Sequence, residues 1–296
     1  MKVAMSLPGG DDVALVVDQA LFHSAVGVDV ITVPRSVAEA AGAERLESLV
    51  KNGRVRVVPG GGGPAAMRHE TLEAAAASGE PADWYIPCGA GEFFWPRGPG
   101  LPETLAPVPP RYTVVQALVR TFVTPAGEST DPGRSTVRWS LLTPTVAPDP
   151  VALALRPVYR TTGNAPGRAA PDVPLRAWYP IEVMRYPATA SELPPAATSL
   201  GAAEIESGLR DGALVVDERL RDALQALRVD GAPQRLELPV PDIVDDASYA
   251  VECAAIHEVD LEALDRQIRA LESRIAWLEQ RFWPRIWRRA LRTVGR

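Results

Sequence analysis

The chain has 296 residues, with 31 basic and 37 acidic side chains, a formal net charge of −6 and 46% hydrophobic residues. These values predict a globular protein with a sizeable core and argue against a dedicated nucleic-acid binder, which would be basic. No apolar run reaches the roughly 20 residues of a membrane span, and the chain opens directly into a strand-like segment, so we expect neither a span nor a signal peptide. Cys88 and Cys253 lack CxxC spacing, which indicates a cytoplasmic protein.

Residues 1–123 alternate between predicted strands and helices. An apolar run at 3–7 predicts the first strand, and Asp11 and Asp12 follow it where the helix over 13–25 is expected to begin. The other predicted elements of this half are strands at 28–33, 54–58 and 83–86 and helices at 37–51 and 64–78. This alternation predicts a doubly wound, mostly parallel α/β sheet, whose ligands bind at the carboxyl ends of the strands.

Residues 124–238 differ in composition from the first 123 residues. The 29 prolines concentrate between Pro96 and Pro195 and remove many backbone donors, so we expect a loop-rich region without long helices or a central sheet. A helix, a short strand at 214–216 and a second helix are predicted within 201–230. The predicted domains are 1–123, 124–238, a linker at 239–259 and a C-terminal segment at 260–296.

An amphipathic C-terminal helix carries the clearest periodicity. From Leu261 to Phe282 apolar residues recur at alternating intervals of three and four, as in the seam of a coiled coil. Acids and arginines flank this narrow seam and favour pairing with a second copy or another partner; packing on its own domain is the alternative. Residues 281–296 hold six arginines among aromatic side chains, which indicates either a peripheral membrane contact or a solvated basic tail.

A combined pattern of motifs carries a family resemblance. It consists of Asp11-Asp12, the segment 23–29, Ala82–Ile86 followed by Glu92–Pro96, and Trp178–Val183. Over about residues 2–280 the chain resembles bacterial family 2 glycosyltransferases. The resemblance implies a GT-A fold with a nucleotide-sugar-binding half and a loop-rich acceptor half. It also implies transfer of a sugar from a nucleotide donor to a glycan or polysaccharide acceptor.

The resemblance also defines candidate site residues. Those on the donor side are Asp11, Asp12, Arg35, Ser36, Gly89, Gly91 and Glu92. Relatives place an Asp-x-Asp motif before the Glu-Phe-Trp-Trp-Pro stretch, and its carboxylates hold Mn²⁺ or Mg²⁺ against the donor diphosphate. This chain reads Gly89-Ala90-Gly91 there. We therefore expect no metal site and no metal cofactor.

The acceptor-side candidates are Trp95, Asn164, Glu182 and Arg185. Histidines that relatives tend to carry near two of these positions are absent here, which removes groups that ligate metal or move protons. Two hypotheses stay open. One is a transferase in which arginines neutralise the diphosphate; the other is a non-catalytic homologue that acts by binding a partner.

Two further features have simpler interpretations. His23 lies inside a predicted helix on a partly apolar face, which favours a structural histidine. The run Gly60–Gly63 lacks the Gly-Lys-Ser/Thr ending of a P-loop and is interpreted as a connector.

Overall fold

The computed structural model describes the following residues: 1–9, 12–40, 43–60, 63–126, 132, 134–140, 155–161, 174–175, 179–186, 199–230, 235–236, 238, 269 and 272–273. Residues 1–246 form one compact unit and residues 247–296 a second. The apolar positions of the predicted seam, the linker at 239–259 and the tail at 281–296 lie outside the described residues and stay predictions. Across the described part, every helix is too short or too polar to cross a membrane.

Strands and helices alternate through the first half and then give way to strands. In chain order the elements are β1 (Val3–Ser6), α1 (Val13–Ala25), β2 (Val30–Pro34), α2 (Arg35–Ala38), a 3₁₀ turn (Ala43–Leu46), α3 (Glu47–Lys51), β3 (Val55–Val58), α4 (Gly63–Ala77), β4 (Trp84–Pro87), β5 (Glu92–Pro96), α5 (Leu101–Leu105), β6 (Val114–Pro125), β7 (Val137–Trp139), β8 (Leu155–Arg160), β9 (Pro174–Leu175), β10 (Ile181–Arg185), β11 (Ser199–Leu200), α6 (Ala202–Arg210), β12 (Leu214–Val216) and α7 (Arg219–Asp230).

The centre of the sheet is parallel. β3, β2, β1 and β4 lie side by side in that order, with Met5 of β1 opposite both Ile31 and Ile86. Every residue of β1 and β2 is buried, which is why these strands read as continuous apolar runs rather than alternating ones. The predicted α/β class with parallel central strands is confirmed, whereas its assignment to the GT-A fold is a proposal.

Of two helices predicted in the first half, one is present as expected and the other is interrupted. The helix expected at 13–25 is present, and the Asp12 side chain accepts a hydrogen bond from the Leu15 amide at 3.0 Å, as an N-cap does. The continuous helix expected over 37–51 is instead α2, the 3₁₀ turn and α3.

The second half of the unit contains a central strand that the proline content argued against. β6 is 12 residues long and pairs with β8 and β7 in antiparallel and with β10 in parallel orientation. Its residues 114–124 contain no proline, so a complete set of backbone donors is present within an otherwise proline-rich region. The boundary predicted between residues 123 and 124 falls inside this strand, and both halves share one sheet.

Side chains of α1 cover the outer edge of β5. Gln19 donates from Nε2 to the Glu92 carbonyl at 2.9 Å, and the Phe94 amide donates to Nε2 of His23 at 3.0 Å. These i,i+4 side chains thus satisfy backbone groups that a neighbouring strand would otherwise pair. His23 accepts this bond only as a neutral imidazole, and burial lowers its pKa to about 3, with a smaller opposing effect of the Gln19 backbone. The structural interpretation of His23 is confirmed.

His23 makes stability depend on pH. The pKa of His23 is 6.5 in the unfolded chain and about 3 in the folded protein, so the unfolded chain takes up a proton first on acidification. The free energy of unfolding therefore falls as the pH drops below 6.5. Between pH 6.5 and 5, above the range of the carboxylates, we expect the wild type to lose about 1.5–2 kcal/mol more free energy of unfolding than His23→Gln. Glutamine keeps an acceptor near the Nε2 position and does not titrate. Urea denaturation at each pH measures the difference.

The matched control is His69→Gln, because His69 is 73% exposed. This variant removes a histidine and leaves the bond between His23 and the Phe94 amide intact. Parallel pH profiles for the wild type and His23→Gln would contradict the role assigned to His23.

Candidate functional site

A cavity of about 750 Å³ opens at the carboxyl ends of β1 to β4. Ligands of open α/β sheets bind at this end of the strands. Much of its wall is apolar, with six prolines among the described lining residues: Pro8, Pro34, Pro59, Pro64, Pro87 and Pro157. Polar side chains in the wall are Ser6, Ser36, Tyr85, Glu92 and Arg156. We call it the strand-end cavity.

Glu92 is a buried carboxylate in this cavity, with 1% of its surface exposed. Its Oε1 lies 2.5 Å from Nε of Arg156 and 3.3 Å from Nη2 of Arg185. Its Oε2 accepts a hydrogen bond from the Gly89 amide at 2.9 Å. The negative charge is therefore neutralised by two guanidinium groups, and both oxygens are occupied.

The local geometry explains why glycine occupies positions 89 and 91, just before β5. A Cβ atom at position 89 would lie 2.8 Å from Oε2 of Glu92, closer than carbon and oxygen approach without a shift. Gly91 has φ +71°, in the left-handed region that favours glycine. Gly89 leaves room for the Glu92 carboxylate to fold back on its amide, and Gly91 turns the chain into β5.

The metal that the resemblance implies does not fit these residues. Mn²⁺ and Mg²⁺ need oxygen ligands, usually carboxylates. Gly89 and Gly91 offer none, and the Glu92 oxygens are already bound to donors. In the described ranges, no group of three His, Cys, Asp or Glu side chains is arranged to hold a metal ion.

Of the remaining donor-side candidates that the structure describes, some line the strand-end cavity and others lie elsewhere. Ser36 lines the cavity together with Gly89 and Glu92. Asp12 caps α1, and Arg35 lies on the surface, 65% exposed and 4.0 Å from Glu39. Asp11 and, on the acceptor side, Asn164 lie outside the described residues.

The acceptor-side candidates lie on opposite faces of the sheet. β10 pairs with β5 so that Glu182 is opposite Trp95 and Arg185 is opposite Glu92. Because side chains alternate along a strand, Glu182 and Arg185, three residues apart, point to different faces. Trp95, Glu182 and Arg185 therefore do not lie together: Arg185 is on the face of the strand-end cavity, and the other two are on the face of α1, where Phe22 stacks on Trp95 at 5.7 Å. Their assignment to an acceptor site stays a prediction.

Glu182 has its own set of arginines. Its carboxylate lies 2.7 Å from Arg120 and 2.9 Å from Arg219. Complete burial alone would raise its pKa, but Arg120 and Arg219 outweigh that effect and lower the pKa to about 2. Glu182 is therefore a permanently charged, ion-paired structural group and has no capacity to accept a proton near neutral pH.

Two features of the strand-end cavity escaped sequence reasoning. Arg156 lies in the proline-rich region and reaches the cavity because β8 pairs with both β4 and β6. Tyr85 bonds Ser6 through its hydroxyl at 2.8 Å, and the Arg68 guanidinium lies 5.6 Å from the Tyr85 ring. Tyr85 lies in the strand predicted at 83–86, whose carboxyl end meets this cavity, whereas no local pattern marks Arg156.

No protein-family model matches this sequence, and comparison with curated proteins likewise yields no match.

The contact between Gly89 and Glu92 predicts a stability effect. Gly89→Ala should lower the free energy of unfolding by about 1–3 kcal/mol, because the new methyl group displaces the Glu92 carboxylate from its donors. Gly9→Ala is the matched control: Gly9 lines the same cavity, and a Cβ there would lie 3.6 Å from Pro34, an ordinary contact. Chemical denaturation of both variants measures the difference, and equal effects would contradict the steric account.

Proposed function

We propose that this protein is a glycosyltransferase-like protein that binds a nucleotide sugar in the strand-end cavity without a divalent cation and without transferring the sugar. The observation that carries the proposal is the Glu92 carboxylate, which is neutralised by Arg156 and Arg185 where relatives use carboxylates to hold a metal. A guanidinium thus takes the place of the cation.

The cavity suits such a ligand in size and lining. About 750 Å³ is within the usual range of ligand pockets, roughly 300–1,000 Å³. The proline walls suit the apolar faces of a base or sugar, and Ser36 and Tyr85 offer hydroxyl groups. Arg156 is 30% exposed, and a guanidinium is well matched to phosphate oxygens.

The titratable side chains in the cavity wall are poorly suited to act as a catalytic base. Sugar transfer needs a base that takes the proton of the acceptor hydroxyl. The carboxylate among the described lining residues, Glu92, is held by two guanidinium groups. Burial, with a contribution from Glu92, raises the pKa of the Cys88 thiol well above its ordinary value, and burial also raises the pKa of Tyr85. Both groups stay protonated at neutral pH.

A metal-independent transferase is the second candidate, and Arg156 favours it because an arginine stabilises a departing diphosphate. Its base would come from residues outside the described part of the chain, such as Asp11. For either candidate, pairing through Leu261–Phe282 and membrane contact by 281–296 remain proposals that rest on the sequence.

Titration calorimetry with UDP- and GDP-sugars tests the proposal. We expect one of them to bind with the same affinity in EDTA and in Mn²⁺, within about twofold, because the site has no ligands for the ion. Arg156→Met should weaken binding by about tenfold or more, the loss of one charge-assisted hydrogen bond. Arg210→Met, at a position of α6 that is 68% exposed and outside the described cavity lining, is the control and should bind as the wild type does.

The outcomes separate the candidates. Binding that requires Mn²⁺, or no binding of any nucleotide sugar, would overturn the proposal. Release of free nucleoside diphosphate on incubation with glycan acceptors would favour the metal-independent transferase.

A further inference from the structure

A second cavity, of about 680 Å³, lies beside β12 and α7. Trp95, Arg138, Asp217 and Arg219 line it, together with Glu218 and Asp222 of the α7 region. We propose that this cavity, which we call the α7 cavity, binds a neutral saccharide at a site separate from the strand-end cavity.

The two cavities lie on different faces of the sheet. Arg185 and Glu92 are on the face of the strand-end cavity, whereas Trp95 and Glu182 are on the face of α1. Glu182 also precedes Arg185 by three residues along β10, which separates their backbones by roughly 10 Å. A ligand in the α7 cavity therefore does not occupy the strand-end cavity.

Guanidinium groups supply donors in the α7 cavity. Arg219 uses Nε and Nη2 to bind Asp217 at 2.9 and 2.7 Å, and Nη2 lies 2.9 Å from Glu182. No hydrogen bond from its Nη1 occurs within the described part of the chain, and the side chain is 28% exposed. Arg138 binds Asp217 through Nε at 2.8 Å and also lines the cavity.

Carboxylates border the same cavity. The side chains of Glu218 and Asp222 are 51% and 61% exposed, and both pair with Arg221. Hydrogen-bond donors and acceptors therefore both line the α7 cavity. A hydroxyl group donates and accepts, so a polyol satisfies both kinds of group, whereas a phosphate would be repelled by the carboxylates.

An apolar wall completes the chemistry. It consists of Val216, Ala223, Ala226, Leu236 and Leu238. Val216, on β12, is 58% exposed and so is accessible to a ligand. Such a wall suits the C–H face of a pyranose ring. Trp95 is 3% exposed and lies under Arg219, with 5.5 Å between guanidinium and ring, so it supports the guanidinium rather than the ligand.

Saturation-transfer NMR on the full chain tests the assignment. The probes are the methyl glycosides of glucose, galactose and mannose, with maltose and lactose. We expect saturation of at least one of them, loss of that signal in Ala226→Phe, which adds a phenyl group at the cavity wall, and its retention in Gln225→Phe. Gln225 is the neighbouring exposed residue of the same helix and is not among the cavity's lining residues.

The proposal would be overturned by no signal from any probe, by a signal that survives Ala226→Phe, or by displacement of the saccharide by inorganic phosphate. Displacement by a nucleotide sugar would assign the saccharide to the strand-end cavity and would equally refute a separate site. Calorimetry with the nucleotide sugars on Ala226→Phe should match the wild type, so failure here is distinguishable from failure of the proposed function.

Discussion

The ion pairs of Glu92 hold the strand-end cavity together. The carboxylate is on β5, its two guanidinium partners are on β8 and β10, and its backbone donor is in the loop after β4. A carboxylate with 1% exposure persists in the charged form only when its charge is matched. Breaking a buried pair of this kind typically costs about 3–5 kcal/mol. The fold therefore depends on Glu92 remaining bound, and a group held in this way is not at the disposal of a metal or a substrate.

The same arrangement occurs on the other face of the sheet. Glu182 is bound by Arg120 and Arg219, and its pKa of about 2 keeps it charged. Glu92 and Glu182, two of the four acids among the candidate site residues, are thus ion-paired structural groups. Arg156 of β8 and Arg185 of β10 neutralise Glu92, and these pairs connect β5 to strands that follow it in the chain. Neither carboxylate is therefore free of a guanidinium partner in the folded protein.

Much of the first half was predictable because its signals are local. Strand β1, the capped helix α1 and the position of the ligand end of the sheet follow from short apolar runs, an aspartate before a helix and the order of elements. The missing carboxylates at Gly89 and Gly91 were also readable. The reason for Gly89 was not, because it depends on how Glu92 folds back in three dimensions.

Long-range pairing accounts for what the sequence did not predict. β6 was not predicted, because prolines flank its proline-free stretch on both sides. Arg156 reaches the cavity through the pairing of β8 with β4 and β6. The separation of Glu182 from Arg185 is different. Their odd spacing places them on opposite faces of any strand, so recognising β10 as a strand would have been sufficient.

A crystal structure of the protein with a nucleotide sugar and Mn²⁺, with anomalous data at the manganese edge, would show whether Glu92 binds arginine or metal. We expect a nucleotide in the strand-end cavity, an intact pair between Glu92 and Arg156, and no anomalous peak beside residues 89–92. A manganese ion coordinated by the Glu92 carboxylate, with Arg156 displaced, would contradict this expectation.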